Sequence, residues 1–265
     1  MRLFITISVF LLSVASPVRA QTPTSQDLDS LLNKWEARMS KMQTFRSKCD
    51  RIDLDPLRRK PVRYSGEVAF KKPGMARLDL TEESEVKLPD DKKTKFERMF
   101  CSQKHFIEYN PIDKLIIVRE LPKNESMDDS MVLSLLKGMK AEDAKKRFGL
   151  TLTKKDDYYA YIYITPKLDA DRKDFGAAQL VLWVKNPNPA TKPNCEMMPC
   201  RLWYKDVSGK EVTYNFTETE PDINLPADYF AARQIPGYQV KHIQQAKTPA
   251  ANPPKPPSTV RQQNP

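Results

Sequence analysis

Two histidines stand in 265 residues, His105 within an alternating apolar pattern and His242 near the C-terminus. A catalytic triad needs an imidazole beside its nucleophile, and a His-rich metal site needs several of them. Neither has much to work with here, and His105 reads as an ordinary strand residue. The paired carboxylates Glu82–Glu83, Asp128–Asp129 and Asp156–Asp157 are the residue type that divides acid and base roles in hydrolysis. Each pair falls in a loop or at an element end, where solvation or capping explains it. The seven glycines spell neither a phosphate loop nor a dinucleotide fingerprint, and Ser65 and Ser134 have no nucleophile-elbow context. The expectation is a protein that is not an enzyme, with no catalytic residue, cofactor or metal.

Four cysteines, Cys49, Cys101, Cys195 and Cys200, all follow the N-terminal apolar segment. In an exported chain they favour disulfides. Cys195 and Cys200 flank a turn-rich stretch containing Pro199 and are expected to staple a hairpin loop, which pairs Cys49 with Cys101 by elimination. Three pairings are open to four cysteines. A zinc site built from all four is a further option, although their spacing is not that of the common fingers.

The elements that would position these residues begin after a leader. Arg2, the apolar run Leu3 to Ala15 and the small-residue end Val18-Arg19-Ala20 read as a secretory signal peptide over residues 1–20, cut before Gln21. The expected product is an exported, soluble, periplasmic protein with one domain over residues 21–243. Residues 244–265 form a Pro-rich tail with almost no large apolar side chains, expected to be disordered. Net charge is +10, and losing Arg2 and Arg19 leaves +8. That balance suits an anionic membrane surface or phospholipid head group. Nucleic acid is discounted, because Lys and Arg are scattered along strands rather than clustered.

Residues 25–43 predict an amphipathic helix, with Leu28, Leu31, Leu32, Trp35, Met39 and Met42 at three- and four-residue intervals. Thr24 or Ser25 is the expected cap, and Asp27 and Asp29 complement the first turn. From residue 44 to about 120 the pattern is that of about six strands in an antiparallel meander, with a hairpin turn at Pro73-Gly74. Helical character returns over 126–148. Four or more strands follow, then a closing segment over 226–243 anchored by Tyr229 and Phe230. The implied fold is α+β, a single curved antiparallel sheet with helices on its inner face.

The stretch "KKDDYYAYIYITPK", residues 154–167, is apolar on both faces. Tyr159, Tyr161 and Tyr163 point one way and Tyr158, Ala160, Ile162 and Ile164 the other. Alternation alone does not tell which set faces inward.

Several stretches recur, in this order, in one family: the exported helix, "MQTFRSKCD", "SGEVAFKKPGMARLDL", "CSQKHFIEYNPIDK", the helical middle, "KDDYYAYIYITPK" and "LPADYFAARQIPGYQV". Over residues 25–240 the chain resembles the periplasmic lipoprotein carriers LolA and LolB, most specifically in Gly66-x-Val68-x-Phe70-x-Lys72-Pro73 and Tyr109-Asn110-Pro111. The resemblance implies an unclosed β-barrel whose concave apolar inside, covered by helices, takes the acyl chains of lipoproteins. It assigns the lipid cavity to Trp35, Met39, Val68, Phe70, Leu78, Phe106, Ile117, Leu135, Tyr161, Tyr163 and Trp183. It also assigns a lid-holding role to Lys72, where family carriers typically have Arg. Gly74, Met75 and Ala76 replace the loop aromatic of the family. The partners implied are an acylated lipoprotein or lipid, a membrane transporter or outer-membrane acceptor, and no nucleic acid, with the chain a monomer. The alternative is an envelope interaction or sensor module on the same scaffold, its cavity plugged by its own side chains.

Overall fold

The computed structural model describes residues 23–58, 60–102, 104–121, 139–186 and 194–243. The expected leader over 1–20, Leu135 with residues 126–138 of the helical segment expected over 126–148, and the tail over 244–265 lie outside the described residues.

Helix α1 spans Ser25–Lys41 and starts at Thr24, whose side chain accepts from the Asp27 backbone while Asp27 accepts from the Thr24 backbone. That reciprocal pair satisfies two amides the first turn would leave open. The predicted stripe is the buried one: Leu28, Leu31, Leu32, Trp35 and Met39. Six strands follow, β1 (Thr44–Leu54), β2 (Val62–Lys71), β3 (Met75–Glu82), β4 (Phe96–Cys101), β5 (His105–Asn110) and β6 (Leu115–Glu120). Next come α2 (Ala141–Arg147), β7 (Phe148–Lys155), β8 (Tyr159–Pro166), the single turn α3 (Asp169–Arg172), β9 (Ala177–Trp183), β10 (Pro199–Lys205), β11 (Glu211–Pro221) and β12 (Gln239–Ile243). Strand β7 is a departure from the sequence reading, which passed from helix at Phe148 to the strand after residue 154. Its first half, Phe-Gly-Leu-Thr-Leu, is too short a run for its period to be read.

Among the described residues these strands make one sheet in the order β12-β6-β5-β4-β3-β2-β1-β11-β10-β9-β8-β7. All neighbours are antiparallel except β12, which lies parallel to β6. The end strands β12 and β7 do not pair with each other, so the barrel is unclosed. This α+β architecture is the one the resemblance implies.

Register carries one inner face across the sheet. On β1, Phe45, Ser47, Cys49, Arg51 and Asp53 are buried, alternating with more exposed Arg46, Lys48, Asp50, Ile52 and Leu54. Phe45 lies opposite Phe70, Phe70 opposite Ala76, Ala76 opposite Cys101 and Cys101 opposite Phe106. On the other wing Tyr214 lies opposite Leu202, Leu202 opposite Leu180, and Leu180 opposite Ile162. These residues and the α1 stripe belong to one buried cluster. Gly66 sits where β2 and β3 approach most closely: a Cβ there would come within 1.9 Å of the Asp79 carbonyl oxygen.

The outer face is also covered over β2–β6. Residues 225–238 lie across it, with Leu225 and Phe230 against Ala69, and Ile235 and Tyr238 against Phe96, Phe100, Tyr109 and Ile116. Beneath them Asp79 accepts from Arg77 at 3.0 Å and Arg98 at 2.9 Å. Arg77 also donates to the Tyr229 carbonyl at 3.1 Å, and its guanidinium lies 4.8 Å from the Tyr229 ring. Both arginines are buried, so their charges depend on these partners. Asp79→Ala is expected to cost about 2 kcal/mol in denaturant unfolding, with Arg77 keeping its bonds to the Tyr229 carbonyl and to Glu67 at 3.3 Å, and Arg98 its bond to Asp90 at 3.2 Å.

Candidate functional site

The sheet's inner face and the helix lying on it form the candidate site. Trp35 and Met39 of α1 meet Val68, Phe70 and Leu78 of β2 and β3 in the main cluster, each nearly inaccessible to solvent. Phe106 is half-buried against the same cluster. Ile117 shares that face by register, opposite Glu108, which is opposite Met99, which is opposite Leu78. Seven of the residues assigned from the resemblance are thus on one surface.

Tyr161 and Tyr163 are not, which corrects their assignment. Ala160, Ile162 and Ile164 are buried in the inner cluster, and strand alternation then sends Tyr159, Tyr161 and Tyr163 outward. Trp183, at the end of β9, stands opposite Tyr159 in the register with ring centroids 4.6 Å apart, and also packs against the inner cluster. Small and branched side chains win the inner positions because the cluster there is filled around Phe148 and Phe175.

Lys72 sits in the β2–β3 hairpin and points its ammonium at the end of α1. Its Nζ donates to the Met39 and Ser40 carbonyls, each at 2.8 Å. These carbonyls are among those a helix C-terminus leaves without intrahelical partners, and a cation is favoured there by the helix dipole. Burial pulls the Lys72 pKa below its ordinary value, with Asp222 acting the other way. Two bonds from one rotatable ammonium suffice here, without the planar fork of an Arg.

Beside Ala76, Leu78, Met99, Cys101 and Phe106 lies a small void of about 10 Å³, at the limit of one water. A larger cleft of about 370 Å³ opens at the rim, between the first turns of α1 and the β7–β8 turn. Leu31, Val184 and Met197 supply its apolar lining, and Lys34, Lys155 and Lys185 stand around them.

One end of the inner face is polar, which the sequence reading missed. Arg51 donates to both Asp53 oxygens, at 2.7 and 2.8 Å, and to Glu97. Lys210 reaches Asp53 at 2.8 Å. The Arg51 guanidinium lies 4.5 Å from the Tyr64 ring and 5.9 Å from that of Tyr214. Burial opposes the Arg51 charge, but its bonds to Asp53 and the surrounding negative charge hold its pKa above the ordinary value. For Asp53 burial acts upward, and the Arg51 and Lys210 contacts outweigh it to leave the carboxyl below its usual range. The available signal was charge at the inward period of a strand otherwise inward-apolar: Phe45, Cys49, then Arg51 and Asp53.

Neither expected disulfide forms. Cys49 and Cys200 are thiols, each pushed up to about 12 by burial. Cys49 shares its row with Gly66, Leu80 and Glu97, so Cys101 lies three strands across and four residues along. That separation is well over about 10 Å, beyond the roughly 7 Å a bridge spans between Cα atoms. Cys195 and Cys200 face different strands: the Cys195 Sγ lies 3.5 Å from the Thr219 carbonyl on β11, and the Cys200 Sγ 3.4 Å from the Val181 carbonyl on β9. Among the described residues no three His, Cys, Asp or Glu side chains gather as a metal site, and no helix is long and apolar enough to cross a membrane.

No protein-family model matches the chain, and no curated protein matches it. Among solved structures, an uncharacterized conserved protein from Thermus thermophilus is similar at 9% identity over 82% of this chain and 100% of its own, with a TM-score of 0.44. The Pseudomonas aeruginosa MucA/MucB complex is similar at 9% identity over 78% of this chain, TM-score 0.40, and this chain spans 61% of the length of that one. A LolA superfamily protein from Nitrosomonas europaea is similar at 12% identity, covering 77% of this chain and 97% of its own, TM-score 0.36. These are distant likenesses of shape. The architecture stands on its own strand order.

The polar end has a pH signature. Because the folded Asp53 pKa is lowered from an unfolded value of about 3.9, its contribution to stability is complete above about pH 5 and is lost as pH falls through the folded value. Thermal unfolding followed from neutral to acid pH is expected to show that loss in the natural protein, and a shallower acid slope in Asp53→Asn.

Proposed function

We propose that this chain is an exported, non-enzymatic protein of the cell envelope that binds acyl chains, most simply a periplasmic lipoprotein carrier. The observation that carries the reading is the continuous apolar inner face of an unclosed sheet, covered by an amphipathic helix that Lys72 holds at one end. Burying a chain of about 16 carbons at about 0.8 kcal/mol per methylene is worth roughly 12 kcal/mol before costs. Because the α1 side chains are themselves buried in the inner cluster, such cargo on this reading takes their place on the sheet. The cleft lined by Leu31, Val184 and Met197 is the point of entry we favour, since it joins solvent to the edge of the inner cluster.

The near-complete burial of these inner-face side chains also supports a second reading, an envelope interaction module whose cavity is plugged by its own side chains. Native mass spectrometry with lipid extraction separates the two. Protein purified from an exported fraction without detergent is expected to carry acylated cargo near one per chain, and Phe70→Glu to lose it. Lipid-free protein that also fails to take up a fluorescent fatty-acyl probe would sink carriage. Lys72→Met removes two charge-assisted bonds and is expected to speed probe uptake about tenfold, measured by stopped flow.

A further inference from the structure

The outer face of β8–β10 carries aromatic side chains that are only half-buried, Trp183 alone among them also touching the inner cluster. Register sets Tyr159 opposite Trp183, Tyr161 opposite Val181, which is itself opposite Arg201 on the next strand, and Tyr163 opposite Gln179, which is itself opposite Trp203. The rings lie together, with Tyr159 to Trp183 at 4.6 Å and Tyr159 to Tyr161 at 6.2 Å. Over β2–β6 the outer aromatic residues are covered by residues 225–238, whereas here all three tyrosines and both tryptophans remain half-exposed.

Cations surround this patch. The Lys154 Nζ lies 5.4 Å from the Tyr161 ring and the Lys185 Nζ 5.9 Å from the Tyr158 ring. Arg201 and Lys205 alternate with Trp203 on β10 and are exposed. Two nearby carboxylates are engaged. Asp156 accepts from the Tyr158 and Tyr159 backbone and pairs with Lys154 at 3.5 Å, and Glu211 accepts from the Trp203 indole at 3.2 Å and pairs with Lys205 at 3.7 Å. Exposed Asp157 subtracts from the local positive balance without reversing it.

We propose that this face docks on an anionic phospholipid surface. Tyr and Trp combine an apolar ring with a polar edge and settle at head-group depth, while Lys and Arg reach the phosphates. An outwardly curved sheet face can touch a plane but cannot enclose a peptide, and these strands have no free backbone edge for strand addition. The chain's net charge of +10 favours approach to such a surface. The inference is independent of what the inner face holds.

Co-sedimentation of the full chain with vesicles of phosphatidylcholine alone, or equimolar with phosphatidylglycerol, tests it. Binding is expected only to the anionic vesicles, weakening with salt and accompanied by a blue shift in tryptophan emission. The combined variant Tyr159→Thr, Tyr161→Thr and Tyr163→Thr is expected to bind at least about tenfold more weakly with an unchanged circular dichroism spectrum. If that variant does not fold, Lys154→Gln with Arg201→Gln decides: it must lose the preference for anionic vesicles. Equal binding to both vesicle types, or binding untouched in every folded variant, overturns the proposal. So does a dimer in sedimentation velocity that the patch variants dissociate, since the face would then belong to a second copy. Vesicle binding by lipid-free protein would leave this inference standing and count against acyl carriage alone.

Discussion

An open sheet with an apolar inner face has to be covered, and most of what is distinctive here follows from how α1 does it. The five buried side chains Leu28, Leu31, Leu32, Trp35 and Met39 contribute about 2 kcal/mol each on leaving water. The two bonds from Lys72 to the helix end are worth about as much as one or two of those side chains. Burial therefore holds the helix on the sheet, and Lys72 sets where its C-terminal end rests. A ligand that offers the sheet comparable apolar area replaces most of what α1 supplies. Helix displacement is then an exchange of like for like rather than an unfolding.

The outer face shows two ways of treating a sheet's second side. Over β2–β6 the chain returns as residues 225–238 and buries aromatic rings above Arg77, Asp79 and Arg98. Those charges tolerate burial because each meets an opposite charge and an aromatic face. Over β8–β10 nothing among the described residues returns in this way, and the rings stay half-exposed beside Lys and Arg. The same rule governs the polar end of the inner face, where Arg51, Asp53, Glu97 and Lys210 satisfy one another.

Local signals were legible wherever one residue type has one use. Thr24 and Asp27 announced the helix start, the Leu-Trp-Met stripe its buried side, and Pro73-Gly74 the β2–β3 hairpin. Lys72 was legible through its place before the hairpin proline, although only the structure shows which carbonyls it meets. The disulfides were misread because sequence spacing between cysteines says nothing about how many strands separate them. Strand β7 was missed because its short apolar run fits helix and strand alike. The Tyr face of β8 was placed inside through the resemblance, since alternation leaves both faces apolar, yet the inner cluster took the smaller set, Ala160, Ile162 and Ile164.

By itself the sequence determined the class of molecule: a helix, a meander, and a second group of strands, with no constellation pointing to catalysis. Those features are local, set by periods of 2 and 3.6 residues and by turn chemistry within a few positions. Which face of each strand looks inward, which charges meet, and which aromatic residues are left outside were decided only by the tertiary structure. They depend on pairings between residues as far apart as Arg46 and Glu220. Register is a property of two strands at once, and a shift of one residue exchanges their faces.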